Sequence, residues 1–300
     1  MEPWVLITFG AVLFQTTRFM LQKKLSVTAL SASGATFARF IYSAPLTVIL
    51  VAVLLHLRDL DLPAFTPAFW AYAWIGGLTQ ILATVCILLI FRSRNFAVGI
   101  TLKKTEVLLT AFVSVLVLGE GVSLQGLGAI IIGVTGVLIL SELPQSDGPW
   151  WRRLNNRAAG LGIGSGLLFA FSGVCYRGAT LEIASDSALI RAAVALAAVG
   201  MSQLIGMSIW LRLREPGQIS RVLSAWRSAG LIGLASLAGS LCWFTAFTLQ
   251  NATYVYAVGQ TEVIVSLLAG YAFFSERISS REALGIALIS ASVLALIFLL

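Results

Sequence analysis

Charged residues are scarce in this sequence. Asp, Glu, Lys and Arg account for 11% of its 300 residues, and hydrophobic residues account for 58%. A soluble domain of this length carries about a quarter charged residues, so the balance excludes that class and predicts a polytopic helical membrane protein. No basic patch with interleaved aromatic residues is present. We therefore expect the net charge of +7 to meet anionic lipid rather than nucleic acid.

Catalytic signatures are absent as well. HExxH, GxSxG and Walker motifs do not occur. The one histidine, His56, lies in a predicted loop near Asp59 and Asp61, where an ordinary solvated loop is the simpler interpretation. The three cysteines sit in apolar runs without metal or redox spacing, at Cys86, Cys175 and Cys242. We therefore expect no enzyme activity, no cofactor and no metal site.

Long apolar runs fill most of the chain. A helix needs about 20 apolar residues to cross a bilayer, and the sequence predicts an all-α fold with ten such transmembrane helices. The predicted spans are 4–22, 34–55, 69–91, 96–118, 122–140, 159–176, 187–211, 229–249, 254–274 and 283–300. The first run begins MEPW without a cation, and Lys23 and Lys24 follow it. This charge order favours an uncleaved first span over a cleavable signal peptide.

An internal repeat appears when the sequence is shifted by 156 positions. Glu106 then aligns with Glu262, and Asn95 aligns with Asn251. These matches carry weight because Asn and Glu are rare inside membrane spans. Each repeat holds five spans, an odd number, so the second copy must be inverted, as in many transporters. The expected units are a first five-helix repeat at 1–141, an interfacial linker at 142–157 and a second, inverted repeat at 158–300.

Loop charges predict the orientation. Cations in the loops lie mainly after the first, third, fifth, seventh and ninth spans, whereas the opposite loops carry only Arg58 and Arg177. The positive-inside rule then places both termini outside. We expect a multi-pass protein of a bacterial inner membrane.

Polar residues inside the spans indicate a water-filled centre. Lys103, Glu106, Thr110 and Ser114 recur at spacings of three and four, so they share one helix face. Each ionisable group inside a span costs about 2.5–3.5 kcal/mol on insertion scales, so we expect this face to line an aqueous cavity. Further polar pairs lie four residues apart on the third and eighth spans, at Gln80 and Thr84 and at Ser236 and Ser240. The expected substrate-binding residues are Lys103, Glu106, Thr110, Gln80, Trp243, Glu262 and Ser266.

Two arginines lie near the starts of the second and seventh spans. We hypothesise that Arg39 pairs with Glu106 and Arg191 with Glu262, as two pseudo-symmetric ion pairs that make and break during transport. Two alternatives stay open at this point. The pairs could be permanent and structural, or the arginines could extend to the lipid headgroups.

The charges of this face also suggest a substrate. Glu106 and Glu262 could bind an ammonium group and Lys103 a carboxylate, so the cavity suits a zwitterion. Trp243 is the tryptophan that lies deepest in a predicted span, which makes it a candidate wall of the site. A phosphorylated substrate would instead require Arg39 and Arg191 to face the cavity without partners.

Two segments carry a family resemblance. VLVLGEGVSLQGLGAIIIGVTGVLIL and AGYAFFSERISSREALGIALISASVLALIF resemble the last two helices of the repeat in EamA-type members of the drug/metabolite transporter superfamily. The resemblance implies ten spans, a central cavity enclosed by helices 1–4 and 6–9, and secondary transport of small metabolites by alternating access, often export. Members often carry proline where Glu106 and Glu262 stand here, so the substrate of a better-known member cannot be assumed.

Small-molecule substrates, most simply amino acids, are therefore the expected partners besides lipid. Carriers of cationic drugs, sugars or nucleotide-linked metabolites remain an alternative, and a channel is the less favoured one. Glycine pairs such as Gly126 with Gly128 and Gly133 with Gly136 permit close helix contacts. They leave both a monomer and a homodimer open.

Overall fold

The computed structural model describes residues 2–91, 103–140, 157–265 and 280–299, and these residues form helices without strands. The helices are α1 (Pro3–Thr28), α2 (Ala32–Leu57), α3 (Pro67–Phe91), α4 (Glu106–Leu118), α5 (Leu124–Leu140), α6 (Arg157–Leu181), α7 (Ala188–Arg214), α8 (Gln218–Ser224), α9 (Trp226–Leu249), α10 (Ala252–Gly259) and α11 (Ser280–Leu299). This part of the chain is all-helical, as the sequence predicts.

Six of these helices are long and apolar enough to cross a bilayer, namely α1, α2, α3, α6, α7 and α9. The apolar helices α4 and α5 and the apolar part of α11 are shorter. The 13 residues of α4 rise about 20 Å, which is less than the hydrocarbon thickness of about 30 Å. Residues 92–102 before it lie outside the described residues, as do residues 266–279, which include the end of the ninth predicted span. The chain is thus a multi-pass membrane protein, and the count of ten spans stays a prediction.

Local signals in the sequence set several helix ends. The Ser31 hydroxyl accepts a hydrogen bond from Gly34 N at 2.9 Å and caps α2, and the Asn251 side chain caps α10 through Thr253 N at 2.8 Å. Helix α4 ends at Gly119, whose φ of 68° is left-handed. Glycine adopts this conformation without a steric penalty, and the turn places Glu120 beside the neighbouring helix α6.

Helices that the sequence repeat relates run antiparallel to each other. At one end of the α2 and α7 pair, Ser31 bonds to Glu215, and at the other end Arg58 donates to Ser187 at 3.3 Å. Helices α5 and α11 are also antiparallel, since Ser292 meets Ala129 while Leu140 packs on Gly285. Inversion of the second repeat requires these directions. The inverted repeat itself remains a prediction that they support.

The glycines of α5 serve contacts inside the chain. A Cβ on Gly136 would lie 2.9 Å from the carbonyl oxygen of Gly285 on α11, and one on Gly133 would lie 2.6 Å from Ser292 Oγ on the same helix. These glycines therefore allow α5 to approach α11 closely. Gly128 has open space around it.

The centre of the bundle lies where pairs of long helices meet. Helix α3 packs along α6, and α1 packs along α9. These two pairs are equivalent under the predicted repeat, because α1 corresponds to α6 and α3 corresponds to α9. Helix α4 packs against α6 and α10, which brings its polar face to the point where the two halves meet.

Candidate substrate cavity

Helix α4 separates its polar and apolar residues cleanly. Glu106, Thr110 and Ser114 are buried, whereas Phe112 and Leu116 are each 65% exposed. In a bilayer the exposed residues would face lipid, because hydrocarbon accepts such side chains without cost. The predicted polar face thus points into the protein.

A small cavity lies at the inner ends of these side chains. Polar residues from α1, α2, α3, α9 and the start of α4 line it, among them Arg18, Arg39, Gln80, Lys103, Glu106 and Trp243. The space open to the centres of water molecules is about 30 Å³, which suits about two waters. In this conformation the side chains close around the site, so a metabolite requires the helices to move apart.

Both predicted glutamates form buried ion pairs with lysines. Lys103 Nζ lies 2.8 Å from Glu106 Oε1, and Lys104 Nζ lies 2.9 Å from Glu262 Oε2. The first pair spans three residues along one helical turn, whereas the second joins the two halves of the chain. Glu106 Oε2 is buried and has no hydrogen-bond partner.

Neither arginine pairs with these glutamates in this conformation, so the exchange of ion pairs during transport stays a prediction. Arg39 Nη2 donates to Ser240 Oγ at 2.8 Å, and Arg191 Nε donates to the carbonyl oxygen of Thr180 at 2.8 Å. The glutamates pair with lysines that lie close to them. Lys103 is three residues from Glu106 in the sequence, and Lys104, just before α4, meets Glu262, just after α10. Arg191 instead lies beside the last turn of α6, where unpaired carbonyl groups attract a cation.

Arg18 is a cavity residue that the sequence reasoning missed. Its side chain lies in α1 and the residue is 4% exposed, with Nη2 at 3.4 Å from Gln15 Oε1 and Nη1 without a hydrogen-bond partner. Its guanidinium carbon lies 4.4 Å from the centre of the Phe19 ring. The signal was available, because an arginine inside the predicted span 4–22 invites the same argument as Glu106.

The other predicted residues divide between the cavity and its surroundings. Gln80 and Trp243 line the cavity. Thr110 does not, because its hydroxyl donates to the carbonyl oxygen of Glu106 at 2.6 Å. Glu262 lies behind the lining, where it is held by Lys104, and Ser266 lies outside the described residues.

Aromatic rings form one wall. The Trp243 ring lies 5.6 Å from Phe247 and 5.5 Å from Tyr256, measured between centroids. Trp243 Nε1 is buried without a hydrogen-bond partner, and Lys103 Nζ lies 5.0 Å from the ring centre of Phe169. Such rings attract cations through their faces and exclude water from the charged groups beside them.

An arginine clamp lies next to this wall. Arg177 Nε lies 2.6 Å and 2.8 Å from the two Glu120 oxygens, and Arg177 Nη1 donates to the carbonyl oxygen of Phe247 at 2.6 Å. The clamp joins the turn after α4 to α6 and α9. Phe247, whose carbonyl oxygen accepts from Arg177, also lines the cavity.

Comparisons with known proteins agree with this architecture. A solved structure described as "Crystal structure of protein" is 14% identical, covers 99% of this chain and 98% of its own, and has a TM-score of 0.71. At this identity the likeness shows the shared fold alone. No curated protein matches the chain. The EamA-like transporter family matches residues 156–298. Residues 156–298, slightly less than half of the chain, are therefore similar to an EamA-like transporter domain of the drug/metabolite transporter superfamily.

Proposed function

We propose that the chain is a secondary carrier that exports amino acids or similar small zwitterionic metabolites by alternating access. The observation that carries this proposal is the small cavity lined by Lys103 and Glu106, which form a buried ion pair in which Glu106 Oε2 has no hydrogen-bond partner. A carboxylate of the substrate would meet a cation, and its ammonium group would donate to Glu106 Oε2. Charged groups inside a span are expensive and mark substrate pathways.

The size of the cavity and the helix directions support alternating access. The space of about 30 Å³ is smaller than any amino acid, so binding requires a more open state. Antiparallel repeats supply two such states, each opening toward one side of the membrane. Export, a location in a bacterial inner membrane and termini outside are parts of the proposal that extend the family resemblance. A relationship to the amino-acid exporter YddG belongs with them.

Transport by the reconstituted protein tests the proposal. Liposomes that contain the protein should exchange labelled amino acids, and Glu106→Gln should slow the exchange about tenfold or more, because it removes a charged hydrogen-bond acceptor. The matched control is Glu182→Gln, since Glu182 accepts a hydrogen bond from Thr66 outside the cavity. Absence of exchange across a broad amino-acid panel would remove this substrate class.

One observation favours the alternative class of carriers for anionic metabolites. Arg39 lines the cavity and its Nη1 has no hydrogen-bond partner, as a phosphorylated or dicarboxylic substrate would require. Arg191 donates to the carbonyl oxygen of Thr180 and does not line the cavity. Of the two arginines expected to face a phosphorylated substrate, only Arg39 does so.

A further inference from the structure

The charges that line the cavity do not balance. Among its described residues, three cations (Arg18, Arg39 and Lys103) face one anion (Glu106). The neighbouring pair of Lys104 and Glu262 is neutral as a whole, so including it leaves the excess unchanged. A zwitterion adds no net charge and would also leave it unchanged.

Both arginines are buried with an unused donor. Arg18 and Arg39 are 4% and 5% exposed. Each has one nitrogen on a neutral oxygen, from Gln15 and Ser240 respectively, and each keeps an Nη1 without a partner. Neither forms an ion pair with a carboxylate of the described residues. A buried cation that is not paired with an anion is costly. The two guanidinium groups repel each other, and Arg18 is also attracted by the carboxylate of Glu262, which is itself paired with Lys104.

Extension of Arg18 to the headgroups does not explain this arrangement. Arg18 lies only four residues before the end of the predicted span at residue 22, but the residue is 4% exposed and lines the cavity. Its side chain is therefore buried inside the protein. Both side chains therefore hold their charge at the place where a substrate would bind.

We propose that Arg18 and Arg39 form an anion subsite and that the substrate is a small anion with two acidic groups and at most one ammonium group. The proposal rests on the carrier function proposed above and narrows its substrate class. Guanidinium groups bind carboxylate or phosphate oxygens through charge-assisted hydrogen bonds. Glu106 Oε2 then accepts from the ammonium group of an acidic amino acid.

Binding to the purified full-length protein in detergent tests the subsite. L-aspartate and L-asparagine have nearly the same size and differ by one carboxylate. The wild-type protein should bind aspartate about tenfold more tightly or better, since a charged hydrogen bond in a buried site has about this effect. Titration calorimetry measures both affinities without any variant.

Variants then locate the effect. Arg18→Gln and Arg39→Gln should each weaken aspartate binding about tenfold to a hundredfold and reduce the preference for aspartate over asparagine. Arg18→Lys and Arg39→Lys should retain part of the aspartate affinity, because they keep the positive charge. The control is Arg227→Gln, because Arg227 also lies against an aromatic ring, 5.5 Å from the centre of Trp226, but on the exposed surface. The inference is overturned if asparagine binds as tightly as aspartate, or if the cavity variants behave like the control.

Two further probes separate this inference from the proposed function. Binding of succinate but not aspartate would support the anion subsite and contradict amino-acid transport. Binding of glycerol 3-phosphate but of neither dicarboxylate would overturn the proposed substrate class, because this probe carries a single acidic group. Exchange of alanine or asparagine in liposomes, without binding of any anion, would support the carrier and overturn the subsite.

Discussion

Glu106 is held through only one of its two oxygens. Lys103 Nζ binds Oε1, while Oε2 is buried without a hydrogen-bond partner. Removing one member of a buried ion pair leaves a charge without its counterion, which costs more than the pair contributes. The two residues should therefore behave as a unit in stability measurements.

A double-mutant cycle tests this unit. Lys103→Met should lower the free energy of unfolding in detergent by about 3 kcal/mol, because Glu106 then stays buried without its lysine. Adding Glu106→Gln should restore much of the loss, since the buried charge is removed as well. A double variant as unstable as the sum of the two single variants would contradict the pairing.

Individual residues also show where sequence reasoning succeeds and fails. The inward face of α4 was predictable, because Glu106, Thr110 and Ser114 follow the helical period. The partner of Arg39 was not, since it depends on how closely α2 and α9 pack. Arg18 was overlooked because repeat matching emphasises residues with a counterpart, and Arg18 aligns with Gly173 when Leu13 is set against Leu168.

At the level of elements, the clamp of Arg177 and Glu120 fixes three parts of the bundle. It ties the turn after α4 to α6 and, through the carbonyl of Phe247, to α9. The sequence places Glu120 at a helix end and Arg177 in a loop, but it gives no indication that they meet. Their contact depends on the left-handed turn at Gly119, which directs the chain back toward α6.

Loss of the charge on Glu120 should loosen this end of the bundle. Glu120→Gln should lower the free energy of unfolding by about 2 kcal/mol, because hydrogen bonds to charged groups contribute about this much. Thermal unfolding in detergent measures the effect, with Glu182→Gln as the control at a carboxylate outside the clamp. Equal melting temperatures for the two variants would show that the clamp contributes nothing particular.

The fold as a whole was largely predictable, whereas its conformation was not. Apolar runs and the repeat predict helical spans and antiparallel mates, and the directions of α2 with α7 and of α5 with α11 agree. The number of membrane spans is harder to predict. Helix α4, for example, is apolar but too short to be identified as a span from its length and composition alone. A sequence pattern does not predict which helices separate in a given conformation, because this depends on the packing energies of the side chains.

The two halves are packed asymmetrically. An apolar cleft of about 420 Å³ lies between α3 and α7, lined in part by Trp74, Met207 and Trp210. The repeat relates this seam to the one between α2 and α9, where Gly233 packs directly against Tyr42. Under the proposed alternating access, the other state would close the first seam and open the second.

Access of water to the cavity is the most direct test of the account as a whole. Ser236 lines the cavity, whereas Phe112 is exposed on the apolar face of α4. In a background with Cys86, Cys175 and Cys242 replaced by alanine, a membrane-impermeant thiol reagent is applied to Ser236→Cys and Phe112→Cys in liposomes. The thiolate attacks such reagents, and it forms only where water reaches the sulfur. The account predicts that the cysteine at 236 reacts and that a bound substrate slows the reaction, while the cysteine at 112 stays unreactive. A cysteine at 236 that reacts no faster than one at 112 would contradict it.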